Sequence, residues 1–188
     1  VVGNATKLTL EDDGDLITVG NVKLASSKAL YLDGGTDTYI YEASADTVRY
    51  VVGGDIMMTM TENGADGNQT NFQSSSVGFT QLEPTYDATD TLVDFRHSNK
   101  QNLTFGAGSI TSINLYFPNM SGNFQLLIKQ DGTGSRTVTN WKVREFDESL
   151  ADGEASVKFA GGSNPTLTTD ANHVDILSFY WDADNEIC

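Results

Sequence analysis

The sequence predicts an all-β protein, and three observations support this fold class. Short apolar runs recur along the 188 residues and are separated by turn residues such as Asp33-Gly34-Gly35 and Asn63-Gly64. Several runs alternate apolar and polar residues with the period of two that a half-buried strand has. Long stretches with the 3.6-residue period of an amphipathic helix are absent, and the one short helix that we expect lies near residues 145–151.

The first 61 residues are interpreted as a β-repeat, shaft-like region. Gly and Asp residues divide this region into short runs that are rich in β-branched, aromatic or other apolar residues. Predicted strands cover residues 7–10, 16–19, 29–32, 38–42, 48–52 and 56–61. These strands are too short to close a core within one chain, so we expect their apolar faces to need neighbours, as in stacked β architectures.

Residues 62–80 are polar and are expected to form a linker, with a domain boundary near residue 80. Residues 81–188 are predicted to form a β-sandwich or jelly-roll-like domain of about seven longer strands. Those strands are predicted at residues 91–96, 102–105, 110–117, 123–130, 136–143, 155–159 and 174–181. The last run is apolar on both faces, which is typical of a central strand.

Composition and charge exclude several classes of function. The chain has 26 acidic and 11 basic residues, a net charge of −15. Such a balance argues against nucleic-acid binding and against attraction to an anionic membrane surface. A single cysteine, Cys188, permits no intrachain disulfide, and apolar runs of membrane-spanning length are absent. The chain begins at Val1 without a signal-like segment, so we expect a processed or partial chain.

The residues give little support for catalysis, and we expect no enzyme activity and no cofactor. A P-loop, a dinucleotide-binding fingerprint and a Gly-x-Ser-x-Gly elbow are absent. Two histidines, His97 and His173, and one terminal cysteine do not provide a zinc-ligand set at recognisable spacing. His97 is expected to be a surface residue at the end of a strand.

The clusters of carboxylates and of aromatic residues each allow a ligand-binding and a structural interpretation. Three acidic clusters offer oxygen ligands for Ca²⁺, but turn formation and solubility are the favoured interpretation, and no metal site is assigned. The clusters are Glu11 with Asp12, Asp13 and Asp15; Asp33 with Asp37; and Asp182 with Asp184 and Glu186. Seven aromatic residues are candidates for a sugar-stacking platform, but a core or subunit-interface role is favoured: Tyr39, Tyr41, Tyr50, Tyr116, Trp141, Tyr180 and Trp181.

Two parts of the sequence resemble bacteriophage fibre proteins. Residues 122–139 (GNFQLLIKQDGTGSRTVT) and 156–180 (SVKFAGGSNPTLTTDANHVDILSFY) resemble the C-terminal β-domain of tailed-phage tail fibres and related virion proteins. The likeness covers about residues 120–181 and rests on the order of these motifs. Residues 28–42 (KALYLDGGTDTYIYE), followed by 51–55 (VVGGD), resemble shaft repeats in fibres of marine and cyanobacterial phages.

The resemblance implies a homotrimeric structural protein of a virion that contributes to attachment to the host surface. Its partners would be further copies of itself, other virion proteins and a host-surface glycan or protein. It implies no catalytic or receptor-binding residues, but it implies turn positions at Gly134, Gly161, Gly162 and Pro165. It also implies core positions at Ile128, Val138, Leu167, Ile176 and Phe179. The alternatives are a fragment of a polysaccharide-degrading tailspike and a capsid-surface or extracellular adhesin module.

Overall fold

A computed structural model describes residues 21–64, 67–73, 75–144 and 155–188. The chain divides into two units, residues 1–77 and residues 78–188, and each is described by itself. Both consist of β-strands, with a turn of 3₁₀ helix at Ala160–Gly162. The predicted all-β class is confirmed. In the described part of the chain, no helix has the length and hydropathy of a membrane span.

The first unit contains one five-stranded antiparallel sheet in which each strand pairs with the next along the chain. Two consecutive glycines, Gly53 and Gly54, make the turn between the third and fourth strands, with φ angles of 61° and 82°. This backbone favours glycine because a side chain clashes there. The strands are β1 (Ala29–Tyr31), β2 (Tyr39–Ser44), β3 (Thr47–Val52), β4 (Asp55–Thr61) and β5 (Gln69–Asn71).

The bounds predicted from the sequence for β1 to β4 agree with the structure within one or two residues, whereas β5 was not predicted. Strand β5 lies inside the segment 62–80, which was expected to be a linker, and its sequence, Gln-Thr-Asn, has no apolar residue. It pairs with β4 through its backbone, which needs no apolar side chain. The strands predicted at 7–10 and 16–19, and the helix predicted near 145–151, lie outside the described residues.

The second unit contains two sheets whose strands alternate along the chain. One sheet has the order β11-β10-β8-β6 and the other the order β12-β9-β7, so the chain changes sheet at each step from β6 to β10. The strands are β6 (Asp90–Asp94), β7 (Lys100–Thr104), β8 (Ile110–Tyr116), β9 (Gly122–Lys129), β10 (Val138–Arg144), β11 (Ala155–Ser156) and β12 (Val174–Trp181).

This alternation places strands of the same direction side by side. Strand β8 pairs in parallel with β6 and β10, and β9 pairs in parallel with β7. The pairs formed by β11 and β12 are antiparallel. The sandwich-like character is as predicted, whereas the jelly-roll detail is not confirmed, since a jelly roll is built from antiparallel strands.

The core of the second unit lies between its two sheets and is centred on Phe117. The ring of this residue stacks on Phe95 and on Trp181, at centroid distances of 5.2 Å and 5.0 Å. It also meets Phe124 edge-on at 5.1 Å. The core positions implied by the resemblance are buried at Ile128, Leu167 and Phe179, and Val138 packs partly buried against them.

The expectation for Ile176 is wrong, since this side chain is 63% exposed. The run 174–181 was predicted to be a central strand, but β12 is the edge of its sheet. Its side chains alternate, so that Phe179 and Trp181 point into the core and Ile176 and Tyr180 point outward.

The motif Gln-Asp-Gly-x-Gly-Ser-Arg forms a hydrogen-bonded turn after β9. The fully buried Gln130 side chain bonds both backbone groups of Arg136, at 2.8 Å and 2.9 Å. The Asp131 carboxylate accepts bonds from the Gly134 amide at 2.8 Å and from the Arg136 guanidinium at 2.7 Å. Gly134 has a φ of 76°, so the turn combines buried polar pairing with a backbone that favours glycine.

Gly134→Ala is expected to lower the free energy of unfolding by about 2–4 kcal/mol. A Cβ at this position would lie 2.4 Å from the carbonyl oxygen of Thr169, a backbone atom, so the turn cannot accept it without moving. Gly132→Ala is the matched control, because a Cβ at Gly132 meets no atom within 4 Å. Equal stability of the two variants in urea denaturation would contradict the structure of this turn.

Candidate functional site

The five-stranded sheet of the first unit has an exposed apolar face. Leu30, Ile40, Tyr50 and Met58 are direct cross-strand neighbours and form a row across β1, β2, β3 and β4. A second row pairs Val48 with Met60. Together with Val52 these residues are called the apolar face: Leu30, Ile40, Val48, Tyr50, Val52, Met58 and Met60.

The side chains of the apolar face are exposed or half-buried, and Leu30 is 53% exposed. Among the described residues of the first unit, Val51 is the only buried hydrophobic side chain. The described part of this unit, a single sheet with so small a core, does not by itself supply the burial that an independent domain needs. An apolar surface of this kind is typical of an interaction site.

The opposite face of this sheet is better covered. Tyr39 contacts the rings of Tyr31 and Tyr41, at centroid distances of 5.0 Å and 5.4 Å. The Arg49 guanidinium donates to the Tyr41 hydroxyl oxygen at 3.3 Å. Residues after β5 also reach this sheet, since Gln73 donates from its side-chain amide to the Thr59 hydroxyl at 3.1 Å. The two faces of the sheet therefore differ in how much of their apolar surface the described residues cover.

Acidic residues of the described part of this unit lie mainly in its turns. Asp33, between β1 and β2, accepts hydrogen bonds from the Thr36 hydroxyl at 2.5 Å and from the amides of Asp37 and Thr38 at 3.0 Å and 2.9 Å. The Thr36 hydroxyl is the main cause that holds the pKa of Asp33 far below its usual range. Glu42 and Asp55 are charged residues in the rows of the apolar face, and they lie beside Val48 and Val52. The acidic turns thus leave most of that face free of charge.

The carboxylates proposed as cation ligands serve as turn residues where they are described. Asp33 makes the bonds given above, and Asp182 accepts from the Asn185 side-chain amide at 2.8 Å and from the Asp184 amide at 3.1 Å. The bond from Asn185 is the main cause that lowers the pKa of Asp182. Within the described ranges, no group of three or more acidic, His or Cys side chains is placed to hold a metal ion. The cluster at residues 11–15 lies outside them.

The seven aromatic residues that the sequence suggested as a platform have different surroundings within their own units. Trp141 and Trp181 are buried in the core of the second unit. Tyr116 is half-buried under the Arg96 guanidinium at 4.7 Å, and Tyr180 is exposed on β12. The remaining three tyrosines belong to the first sheet, where Tyr50 lies on the apolar face and Tyr39 and Tyr41 lie on the other face. Tyr50 therefore does not share a surface with Tyr39 and Tyr41.

The remaining candidate groups have ordinary surroundings. The His97 side chain is 73% exposed, with its Nε2 atom 3.7 Å from Asp94. Burial raises the pKa of the Cys188 thiol to about 12, so at neutral pH the sulfur carries its proton and is a poor nucleophile.

Comparison with known proteins adds no relative. No protein-family model matches the chain, and neither the curated proteins nor the solved structures contain a match. The apolar face was not identified from the sequence, although the short strands indicated that their apolar sides need neighbours. Leu30, Ile40 and Tyr50 form a row because their strands pair in this register, and the register is not evident from the sequence.

Acid is expected to destabilise the Asp131 turn. The Arg136 guanidinium is the main cause that lowers the pKa of Asp131 in the folded chain. A carboxyl whose pKa is lower when folded stabilises the fold above its unfolded value of about 3.9, and this contribution is lost as pH falls through the folded pKa. Unfolding free energies of the second unit should therefore decline more steeply between about pH 5 and pH 2 in the parent chain than in Asp131→Asn.

Asp170→Asn is the control for this measurement. The Asp170 carboxylate is 74% exposed, and the Nδ1 atom of His173 lies 4.0 Å from it. We expect this variant to follow the acid profile of the parent chain. A profile of Asp131→Asn that coincides with both would show that the Arg136 contact does not contribute to stability.

Proposed function

We propose that the protein is a non-enzymatic structural component of a bacteriophage fibre or appendage, assembled as a homotrimer and contributing to attachment to the host surface. The apolar face of the first unit is the observation that carries this proposal. The described residues leave its rows across four strands exposed or half-buried, so a stable assembly would cover them with another surface.

A second copy of the chain is the partner that this face fits. Copies with a net charge of −15 repel one another, and they approach most easily through surfaces that carry little charge. The apolar face carries few charges, since its acidic neighbours are Glu42 and Asp55 at the row ends, and Asp33 and Asp37 lie in the turn beside it. The resemblance of residues 28–42 and 51–55 to trimeric shaft repeats suggests that three copies meet there.

The proposed place of the protein is the virion, where the second unit would join the fibre to neighbouring virion proteins or contact a host-surface glycan or protein. Support comes from the motifs at 122–139 and 156–180. In the first of these motifs, the Asp-Gly-x-Gly-Ser-Arg run forms the turn held by Gln130 and Asp131. The motif thus has a structural role that does not require a ligand.

Met60→Lys is expected to prevent trimer formation. Met60 lies opposite Val48 on the apolar face and is 44% exposed, so lysine is tolerated in a single chain but would place a charge in the covered interface. Light scattering at matched concentrations should give the parent three times the mass of the variant. A parent mass of one chain would contradict the trimer.

Met120→Lys is the matched control, since Met120 is also an exposed methionine but lies in the second unit. It should assemble as the parent does.

Incubation of the parent with bacterial capsular polysaccharide tests the non-enzymatic part of the proposal. Polysaccharide of unchanged length is the expected result, and shortened chains would favour a tailspike depolymerase.

A further inference from the structure

The Arg49 guanidinium is a cation that the described residues leave without a carboxylate partner. It lies half-buried on the face of the first sheet opposite the apolar face. Its Nη1 atom donates to the Tyr41 hydroxyl oxygen at 3.3 Å, whereas its Nε atom is buried and has no hydrogen-bond partner. A partly buried charge without a counterion destabilises a fold, so an external anion that neutralises it would stabilise the chain.

This face of the sheet carries no carboxylate among its described residues. Arg49 stands in a cross-strand row with Tyr41 and Thr59, and the two neighbouring rows of the same face contain no Asp or Glu either. The acidic strand residues Glu42 and Asp55 belong to rows of the apolar face. Although the chain has 26 acidic side chains, none of those described on this sheet therefore competes for the Arg49 guanidinium.

Three tyrosine rings extend from Arg49 across the same face. Tyr41, which accepts the Arg49 bond, contacts Tyr39 at a centroid distance of 5.4 Å, and Tyr39 contacts Tyr31 at 5.0 Å. All three side chains are partly accessible, and Tyr31 is 47% exposed. Tyrosine combines an apolar ring, on which the C–H face of a sugar can pack, with a hydroxyl that bonds polar groups.

Donors of two kinds lie together beside these rings. A guanidinium has five N–H donors in a planar fork, and in Arg49 one of them bonds Tyr41. The Tyr41 hydroxyl accepts that bond, and no described residue accepts its proton, so the proton is free to bond a ligand oxygen. Since a guanidinium binds a carboxylate through two parallel bonds, this pair of side chains suits a carboxylate better than a neutral group.

We infer that Arg49, Tyr41, Tyr39 and Tyr31 form a binding site for a glycan that contains carboxylated sugars. The carboxylate of one sugar binds the Nη groups of Arg49 and the Tyr41 hydroxyl. The rings of this sugar and its neighbours pack on Tyr39 and Tyr31. The bound carboxylate compensates the positive charge that the described residues leave unpaired.

The charge of the chain restricts such a ligand to short-range contact. A chain with a net charge of −15 repels an anionic polymer at a distance. At physiological ionic strength, exposed charges that are more than about 8 Å apart are largely screened, whereas a carboxylate that touches a guanidinium is not. Contact at Arg49 therefore decides whether the glycan binds at that ionic strength.

This inference rests on the proposed attachment to a host surface and names a partner class for it in the first unit. The site lies on the face opposite to the one that the proposed trimer covers. Covering the apolar face with further copies therefore does not in itself cover Arg49.

Calorimetric titration of the full-length chain with trigalacturonate tests the inference, and the methyl ester of the same trisaccharide is the matched ligand control. The ester keeps the sugar rings and removes the charge of each carboxylate. At about 0.15 M salt the chain should bind the acid about tenfold more tightly than the ester. Equal affinity for the two, or no binding of the acid, would overturn the inference.

Arg49→Gln should lower the affinity for trigalacturonate about tenfold, to that of the ester. Lys28→Gln is the matched control, because it also removes one positive charge from the first unit, but at an exposed residue before β1 and outside the Arg49 row. It should bind the acid as the parent does. An equal loss in both variants, or no loss in Arg49→Gln, would show that Arg49 is not the binding residue. The comparison of acid with ester needs no variant, so it decides the matter even if Arg49→Gln does not fold.

Met60→Lys distinguishes a failure of this site from a failure of the proposed trimer. Met60 lies on the apolar face, so the variant should lose trimers and keep the affinity of each chain for trigalacturonate. A parent of single-chain mass that binds the acid would contradict the trimer alone, and a trimeric parent that does not bind it would contradict the site alone. If Arg49→Gln instead lowers the mass of the assembly and leaves binding of the acid unchanged, Arg49 pairs with a carboxylate of a second copy and the inference is wrong.

Discussion

The second unit depends on the aromatic contacts of Phe117, because they connect its two sheets where the chain crosses between them. Phe95 follows β6 and Phe117 follows β8, and both extend the pairing of their sheet, since the Phe95 amide donates to the Tyr116 carbonyl at 2.8 Å. From the other sheet come Phe124, Phe179 and Trp181, whose rings lie 5.0–6.5 Å from Phe117. Strands that alternate between sheets need such contacts, because a β-strand's own bonds run only to neighbours in its sheet.

The turns show how the polar residues make this alternation possible. A chain that leaves β9 for β10 must reverse its course without leaving buried amides unpaired. Gln130 bonds the backbone of Arg136, and Asp131 bonds the Gly134 amide, so side chains replace the partners that a hairpin ladder would supply. The acidic and glycine residues of this motif therefore serve the fold of the second unit.

The positions of single strands were predictable from the sequence, but which strands pair with one another was not. The run 174–181 was predicted at the bounds that the structure shows, because a run of apolar, β-branched and aromatic residues favours a strand. The parallel pairing of β8 with β10 has no local signature, since it is set by where the chain crosses the core. The same limit explains Ile176, whose apolar character was interpreted as core burial, and β5, whose polar residues gave no strand signal.

Charge placement connects the apolar face and β12. The first 94 residues carry 15 acidic and 4 basic side chains, a net charge of −11 out of −15. At Asp33 and Asp182 the acidic groups bond the amides of their own turns. These two acidic groups therefore serve their turns, while Met60 and Ile176 stay exposed on strands. Copies of so acidic a chain repel one another, and this repulsion is weakest at surfaces where the strands are apolar.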